Sequence, residues 1–161
     1  MKISDRIICV GGDGIRHIGR PEEIFQEERI RELYEIDNGS FDPLFGSMEL
    51  PAVKGEAEVF VLSSGGSGIP VYRRLQRQKI PFAAGILYTN DIDYRVAKIL
   101  AAEVIEEQPF MPVSDAAFAR AREMIRNCEE VINAGFPVGE ANRRMQELAG
   151  EAEMLGKLLT V

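Results

Sequence analysis

Glu58-Val59-Phe60-Val61-Leu62-Ser63-Ser64-Gly65-Gly66-Ser67-Gly68-Ile69-Pro70 is the stretch of sequence on which the fold depends. Its four consecutive apolar residues, rich in β-branched and aromatic types, are typical of a strand that is buried on both faces. The serines and glycines that follow form a turn. Pro70 suits the first turn of a helix, because its missing N–H needs no partner there. Strand, glycine-rich turn and helix start together predict the opening of a βαβ unit.

The chain downstream of Pro70 repeats the same alternation. Apolar runs predict four further strands, at residues 81–87, 104–105, 131–132 and 158–161. Helices are predicted between them, and the last helix is expected to open at Gly139. Strands that alternate with helices form parallel sheets through right-handed crossovers. We therefore predict an α/β fold, a Rossmann-like three-layer sandwich with a mostly parallel sheet.

The first part of the chain predicts a β-hairpin and a helix ahead of this sandwich. The hairpin strands are residues 6–10 and 15–18, joined through Gly11-Gly12-Asp13-Gly14, where Asp-Gly favours a tight turn. A helix is expected to follow, with Pro21 near its first position and acidic residues in its first turn. The apolar side of this helix is predicted to contain Ile24, Phe25, Ile30, Leu33 and Tyr34.

The residues between this helix and the sandwich predict a connecting region. Residues 37–43 have the composition of a loop, and residues 48–51 are expected to form a short edge strand that proline stops. A boundary is expected near Gly55. We therefore divide the chain into a tail segment, residues 1–54, and a Rossmann-like domain, residues 55–161.

The composition excludes several classes of function. The 161 residues carry a net charge of −7, which argues against nucleic acid as a partner. No apolar run approaches the roughly 20 residues that span a bilayer, and no signal peptide opens the sequence, so a cytoplasmic location is expected. With one histidine, and with Cys9 and Cys128 on separate apolar stretches, no metal site is expected.

A pattern with characteristic spacing occupies the first 25 residues: Asp5-Arg6 before an apolar strand, Asp13-Gly14 before a second strand, and Gly19-Arg20-Pro21-Glu22-Glu23-Ile24-Phe25 after it. It resembles the end of ATP-binding subunits of ABC transporters, most of all the importers of iron–siderophore, haem and vitamin B12. Residues from about 55 onward resemble an extra C-terminal domain on some of these importer ATPases. The resemblance implies ABC transporter ATPase or permease subunits as partners, with membrane contact only through the transporter at the inner face.

The motifs that hydrolyse ATP are missing from this sequence. It contains no Gly-x-x-x-x-Gly-Lys-Ser/Thr loop, the element that cradles the phosphates of a nucleotide. Ser64-Gly65-Gly66-Ser67 is only superficially similar to the Ser-Gly-Gly-Gln signature of ABC ATPases, because it lies downstream of the ATPase end and the signature lies upstream. The resemblance therefore implies an accessory or regulatory ligand-binding module of a metal-chelate importer rather than the ATPase itself.

The turn after the first strand of the sandwich is the main candidate for a binding site. Small residues at the carboxyl end of a strand leave backbone N–H groups and a helix dipole available to an anion. Asp91 follows the second strand, where nucleotide-binding folds place an acid that bonds ribose hydroxyls. Asn133 follows the fourth strand and is expected at the same edge. The predicted ligand-binding residues, around a small anionic ligand, are Ser63, Ser64, Gly65, Gly66, Ser67, Gly68, Asn90, Asp91 and Asn133.

Each of these features has an alternative interpretation. Residues 63–68 would also serve as a tight βα turn, Asp91 as a helix cap, and residues 133–139 as a loop shaped by glycine and proline. A nucleotide- or phosphate-using enzyme is the alternative function, with Asp91, Asp93 or Glu140 as acid or base. A purely structural docking domain is a third hypothesis, and a second copy of the chain is a further candidate partner. The sequence assigns no cofactor and no catalytic residue.

Overall fold

A computed structural model describes residues 5–12, 14–33, 40–42, 47–49 and 51–161. The chain divides by its internal contacts into two units, Met1–Pro51 and Ala52–Val161. Asp13 and Tyr34, which the sequence assigns to a turn and to the apolar side of a helix, lie outside the described residues. Within the described ranges, no helix has the length and apolar character that crossing a membrane requires.

The described residues of the first unit form two small antiparallel sheets and two short helices. Its described elements are β1 (Ile7–Gly11), β2 (Gly14–Gly19), α1 (Pro21–Ile24), α2 (Glu27–Leu33), β3 (Ser40–Asp42) and β4 (Ser47–Glu49). β1 pairs with β2, as the hairpin prediction requires, and β3 pairs with β4. Cys9, Ile24 and Ile30 are buried within this unit.

Two details predicted for the first unit are wrong. The single helix expected after Pro21 is interrupted, because Phe25 leaves the helical conformation and ends α1 with its N–H bonded to the Pro21 carbonyl. The Phe25 side chain is consequently 52% exposed rather than on the apolar side. The segment predicted as a loop over 37–43 contains β3, a strand too short to show the alternation by which strands are found in sequence.

The second unit is a five-stranded parallel sheet with helices between its strands. Its elements are β5 (Val59–Leu62), α3 (Ile69–Gln78), β6 (Phe82–Tyr88), α4 (Ile92–Leu100), β7 (Glu103–Glu107), α5 (Asp115–Asn127), β8 (Glu130–Asn133), α6 (Arg144–Met154) and β9 (Leu158–Thr160). The strand order is β7-β6-β5-β8-β9, and every pair is parallel. This is the doubly wound order of Rossmann-like folds, so the predicted fold class is confirmed.

The core of this unit is built around its central strand. All four residues of β5 are buried, as a strand covered on both faces requires. Phe60 and Leu62 belong to a large apolar cluster that includes Ile125 of α5 and Leu148 of α6. The Tyr72 ring of α3 stacks on Phe82 of β6, with ring centroids 5.2 Å apart and planes inclined by 13°.

The last helix begins later than predicted. α6 starts at Arg144, five residues beyond Gly139, because the intervening residues form turns around the buried Asn142 side chain. Asn142 Oδ1 accepts the Gly139 N–H at 2.6 Å, and Asn142 Nδ2 donates to the Pro137 carbonyl at 2.8 Å. A side chain that bonds local backbone groups competes with the backbone hydrogen bonds of a helix, and α6 therefore begins only after Asn142.

Gly68 is expected to tolerate no side chain. A Cβ atom there would meet Ser63 Oγ and lie 2.5 Å from Tyr72 Cζ, so Gly68→Ala should lower the free energy of unfolding by about 1–3 kcal/mol through overpacking. Gly150 in α6 is the matched control, since open space surrounds its Cβ position. Gly150→Ala should raise the free energy of unfolding by roughly 0.5–1 kcal/mol. Denaturant titration of both variants tests this pair, and equal stability of Gly68→Ala and the parent would contradict it.

Candidate functional site

The candidate site lies where the direction of the sheet reverses. Strands are added outward from β5 through β6 to β7, and the chain then crosses to β8 on the other side of β5. The loops after β5 and β8 therefore meet at the carboxyl edge, where open α/β sheets bind their ligands. A hydrogen bond from the Ser67 hydroxyl to the Gly135 carbonyl joins the two loops across this point.

The Ser-Gly loop after β5 needs glycine at two positions. Gly65 and Gly66 have φ angles of +68° and +95°, which side-chain-bearing residues rarely adopt. Ser67 Oγ accepts the Ser64 N–H at 3.2 Å, and the Ser67 N–H donates to the Ser64 carbonyl at 3.4 Å. The loop is thus a compact turn, and its Gly65 and Gly68 N–H groups face the beginning of α4.

The Asp91 carboxylate occupies the anion position of this loop. Ser64 Oγ donates to Asp91 Oδ2 at 2.7 Å, and the Gly65 N–H lies 3.0 Å from both Asp91 oxygens. Asp91 is also the N-cap of α4, because its Oδ1 accepts the Asp93 N–H at 3.0 Å. One carboxylate therefore binds the loop and caps the helix at the same time.

Asp93, which the sequence offers only as a candidate acid or base, faces the Ser-Gly loop together with Asp91. Asp93 is fully buried, and its Oδ2 accepts the Gly68 N–H at 3.1 Å. Within the described ranges, its buried Oδ1 has no hydrogen-bond partner. Burial raises the pKa of this carboxyl, and the nearby Asp91 charge raises it further, against the Gly68 hydrogen bond that lowers it.

A second buried pair lies beneath the loop. Ser63 Oγ and the Tyr72 hydroxyl are 2.5 Å apart, and both residues are fully buried. Burial raises the pKa of Tyr72, and the charge of Asp93 adds to the effect. Ser63 therefore belongs to the support of the loop and does not present its hydroxyl to a ligand.

The structure brings together most of the residues predicted for the site. Ser64 and Gly65 bond to Asp91 directly, and Ser67 reaches the loop that follows Asn133. Asn133 itself is half-buried, and its Oδ1 accepts the Gly135 N–H at 3.0 Å. Asn90 is exposed beside Asp91. A ligand at this edge would meet hydroxyl, amide and carboxylate groups, and an anion would compete with Asp91 for the Gly65 N–H.

The described residues offer no metal centre. Among them, no three histidine, cysteine, aspartate or glutamate side chains converge as metal ligands would. Both oxygens of Asp91 bond to N–H or O–H donors, which leaves them poorly oriented for a cation. Hydrogen bonding is the chemistry that this arrangement supports.

Comparisons with known proteins give two relatives. The MJ0874 family model matches residues 82–161. The uncharacterized protein MJ0874 of Methanocaldococcus jannaschii is 35% identical over 72 residues, which cover 45% of this chain and 77% of that protein. The uncharacterized ABC transporter ATP-binding protein MJ0873 of the same organism is 27% identical over 89 residues, which cover 54% of this chain and 30% of that protein. No solved structure matches.

The extent of the second likeness is informative. The chain spans less than a third of the length of the ABC transporter ATP-binding protein that it matches. The 89 matched residues are nevertheless more than the first unit contains, because that unit ends at Pro51. The likeness to an ABC transporter protein therefore extends into the second unit, which contains the sheet and the candidate site.

Asp93 is expected to make stability depend on pH. Its pKa in the folded protein lies above the ordinary value of 3.8, so the folded state binds the proton more tightly than the unfolded state. The free energy of unfolding should therefore fall as pH rises from 3.8 through the raised native pKa, and Asp93→Asn should remove this decline. Denaturant titration across this range measures it. Glu153→Gln, a change at an exposed carboxyl, should keep the decline, and a decline that persists in Asp93→Asn would contradict the assignment.

Proposed function

The chain belongs to the MJ0874 family, and we propose that it serves as an accessory module of an ABC transporter ATP-binding subunit. The observation that carries this proposal is the 89-residue likeness to an ABC transporter ATP-binding protein, which extends into the second unit. The spacing of Asp5-Arg6, Asp13-Gly14 and Gly19-Arg20-Pro21 supports it independently. Since the sequence lacks the lysine loop that binds nucleotide phosphates, the module acts beside an ATPase and not as one.

The proposal includes a ligand at the carboxyl edge of the sheet. A small anionic ligand would bind over residues 63–68, with Asn90, Asp91 and Asn133 beside it. Its anionic end would take the place that the Asp91 carboxylate holds at Ser64 Oγ and the Gly65 N–H. Because Asp91 also caps α4, such a ligand would release the first turn of that helix. Displacement of an internal carboxylate gives the module a means to report ligand binding.

The transported cargo in this proposal is a metal chelate, of the iron–siderophore, haem or cobalamin class. Support for it comes from the resemblance of the first 25 residues to importers of that class. A nucleotide- or phosphate-using enzyme is the alternative, and it would need an acid or base that reaches its substrate. The buried Asp93 carboxyl is shielded from solvent and would not reach a substrate as an acid or base.

An ATPase assay tests the accessory role. The purified chain alone is expected to show no magnesium-dependent ATP hydrolysis, because its sequence contains no Gly-x-x-x-x-Gly-Lys-Ser/Thr loop to hold the β- and γ-phosphates. Added to the ATP-binding protein MJ0873, it is expected to change that protein's hydrolysis rate at least twofold in a saturable manner. Bovine serum albumin at equal concentration is the control. Hydrolysis by the chain itself, or an unchanged rate at saturating chain, would overturn the proposal.

Removal of the internal carboxylate tests the ligand site. Asp91→Ala frees Ser64 Oγ and the Gly65 N–H, so inorganic phosphate should bind at least about tenfold more tightly than to the parent. Amide chemical shifts of Gly65 and Gly66 during phosphate titration give the readout. Gln78→Ala, a change at an exposed amide side chain at the far end of α3, should leave phosphate affinity at the parental value. Unmoved Gly65 and Gly66 signals in folded Asp91→Ala would place anion binding elsewhere.

A further inference from the structure

The outer surface of α3 carries basic charges without acidic ones. The helix contains three arginines and no aspartate or glutamate, and Lys79 is its C-cap. Arg74, Arg77 and Lys79 are all exposed. Arg74 and Arg77 are three residues apart, so their like charges lie side by side on the helix and destabilise it. Within its own molecule, this charge pattern therefore costs stability.

The next helix, α4, extends this basic surface. β5, β6 and β7 are parallel neighbours in that order, so right-handed crossovers place α3 and α4 on the same side of the sheet, where they pack against each other. Arg95 of α4 is exposed. It lies in the first half of α4, where the helix dipole gives a cation no support. Arg74, Arg77, Lys79 and Arg95 are together called the basic face.

The cations of the basic face have no acidic partner in the described part of the chain. Lys98, also exposed on α4, pairs with Glu106 at 3.5 Å and is therefore not counted in the basic face. On the other side of the sheet, the arginines of α5 and α6 form ion pairs. The pairs are Arg120 with Glu103 and Glu123, Arg122 and Arg126 with Glu151, Arg143 with Glu140, and Arg144 with Asp115. A solvated helix surface of this molecule thus mixes charges of both signs, and the basic face does not.

The basic face has no apolar anchor. Within the described ranges, no exposed large apolar side chain belongs to α3 or α4. Stable protein interfaces depend on buried aromatic or aliphatic side chains near their centre. Two helices side by side, with cations on their outer surfaces, instead match an extended surface of negative charge. Charge attraction is then the main source of binding energy, and this makes binding dependent on salt.

We propose that the basic face binds the headgroups of an anionic lipid bilayer, with the outer surfaces of α3 and α4 turned towards the lipid. Arginines and lysines that lie together act in combination at such a surface, and each raises the affinity roughly fivefold. The acids of α5 and α6 lie on the other side of the sheet and so face away from the bilayer. The choice of lipid over other polyanions rests on the proposed function, because an ABC transporter subunit works beside a membrane.

Co-sedimentation of the full chain with vesicles tests the proposal. The parent should bind vesicles of phosphatidylcholine with about one-third phosphatidylglycerol, and should not bind pure phosphatidylcholine. Binding should be lost as NaCl rises from about 0.1 M to about 1 M, because the Debye length shrinks from about 10 Å to about 3 Å. The double variant Arg74→Gln/Arg77→Gln should bind at least about tenfold more weakly. It should unfold at no lower a temperature than the parent, because it loses a pair of like charges.

A matched pair of arginines on the other side of the sheet is the control. Arg126→Gln/Arg143→Gln removes the same charge from side chains that are 56% and 64% exposed, and should keep the parental affinity for vesicles. No binding to the anionic vesicles, equal binding to pure phosphatidylcholine, binding that salt leaves unchanged, or parental binding by Arg74→Gln/Arg77→Gln would each overturn the proposal. So would tighter binding of double-stranded DNA or polyglutamate at the same ionic strength, which would assign the basic face to nucleic acid or to an acidic protein. Vesicle binding requires no ATPase, so its failure is distinguishable from a failure of the accessory role in the ATPase assay.

Discussion

The bonds between the Asp91 carboxylate and the loop after β5 determine the architecture of the carboxyl edge. A turn of serines and glycines has backbone N–H groups that need acceptors, and the beginning of α4 has N–H groups with the same need. One carboxylate satisfies both, through the Gly65 N–H, the Ser64 hydroxyl and the Asp93 N–H. These bonds thereby fix three features relative to each other: the two glycines with positive φ, the start of α4 and the carboxyl end of β6.

A buried layer of polar side chains lies between the loop after β5 and the apolar core, and it supports the loop. Ser63, Tyr72 and Asp93 are all fully buried, although each contains a polar group that water would otherwise solvate. The Ser63–Tyr72 and Asp93–Gly68 hydrogen bonds couple the end of β5, α3 and α4. A shift of one of these elements would break a hydrogen bond in a region that water does not reach. Asp93 Oδ1, which has no hydrogen-bond partner in the described part of the chain, makes this layer costly, and the raised pKa of Asp93 follows from the same burial.

The parts of this fold that have strong local patterns could be predicted from the sequence. Four apolar residues before a glycine-rich turn identify β5, and the strand–helix alternation implies a parallel sheet. Prediction failed where the backbone departs locally from its regular pattern. Phe25 ends α1 early, and Asn142 delays α6 through bonds to Gly139 and Pro137. The orientation of Asp93 depends on how α4 docks against the loop, which no local pattern encodes.

The candidate site shows why an anion-binding loop in a sequence is not yet an open anion site. The sequence predicts N–H donors in the loop after β5, and in the structure the acceptor of the Gly65 N–H comes from the chain itself, 26 residues further along. A ligand that takes the Gly65 N–H must replace the Asp91 bonds, so its apparent affinity is reduced by the fraction of molecules in which Asp91 has moved away. Since Asp91 cannot cap α4 fully and leave the loop free at once, the occupancy of the loop and the order of the first turn of α4 are linked quantities. In this chain, whose likeness to an ABC transporter ATP-binding protein extends into the second unit, the linkage would supply a physical route from a bound ligand to the first turn of α4.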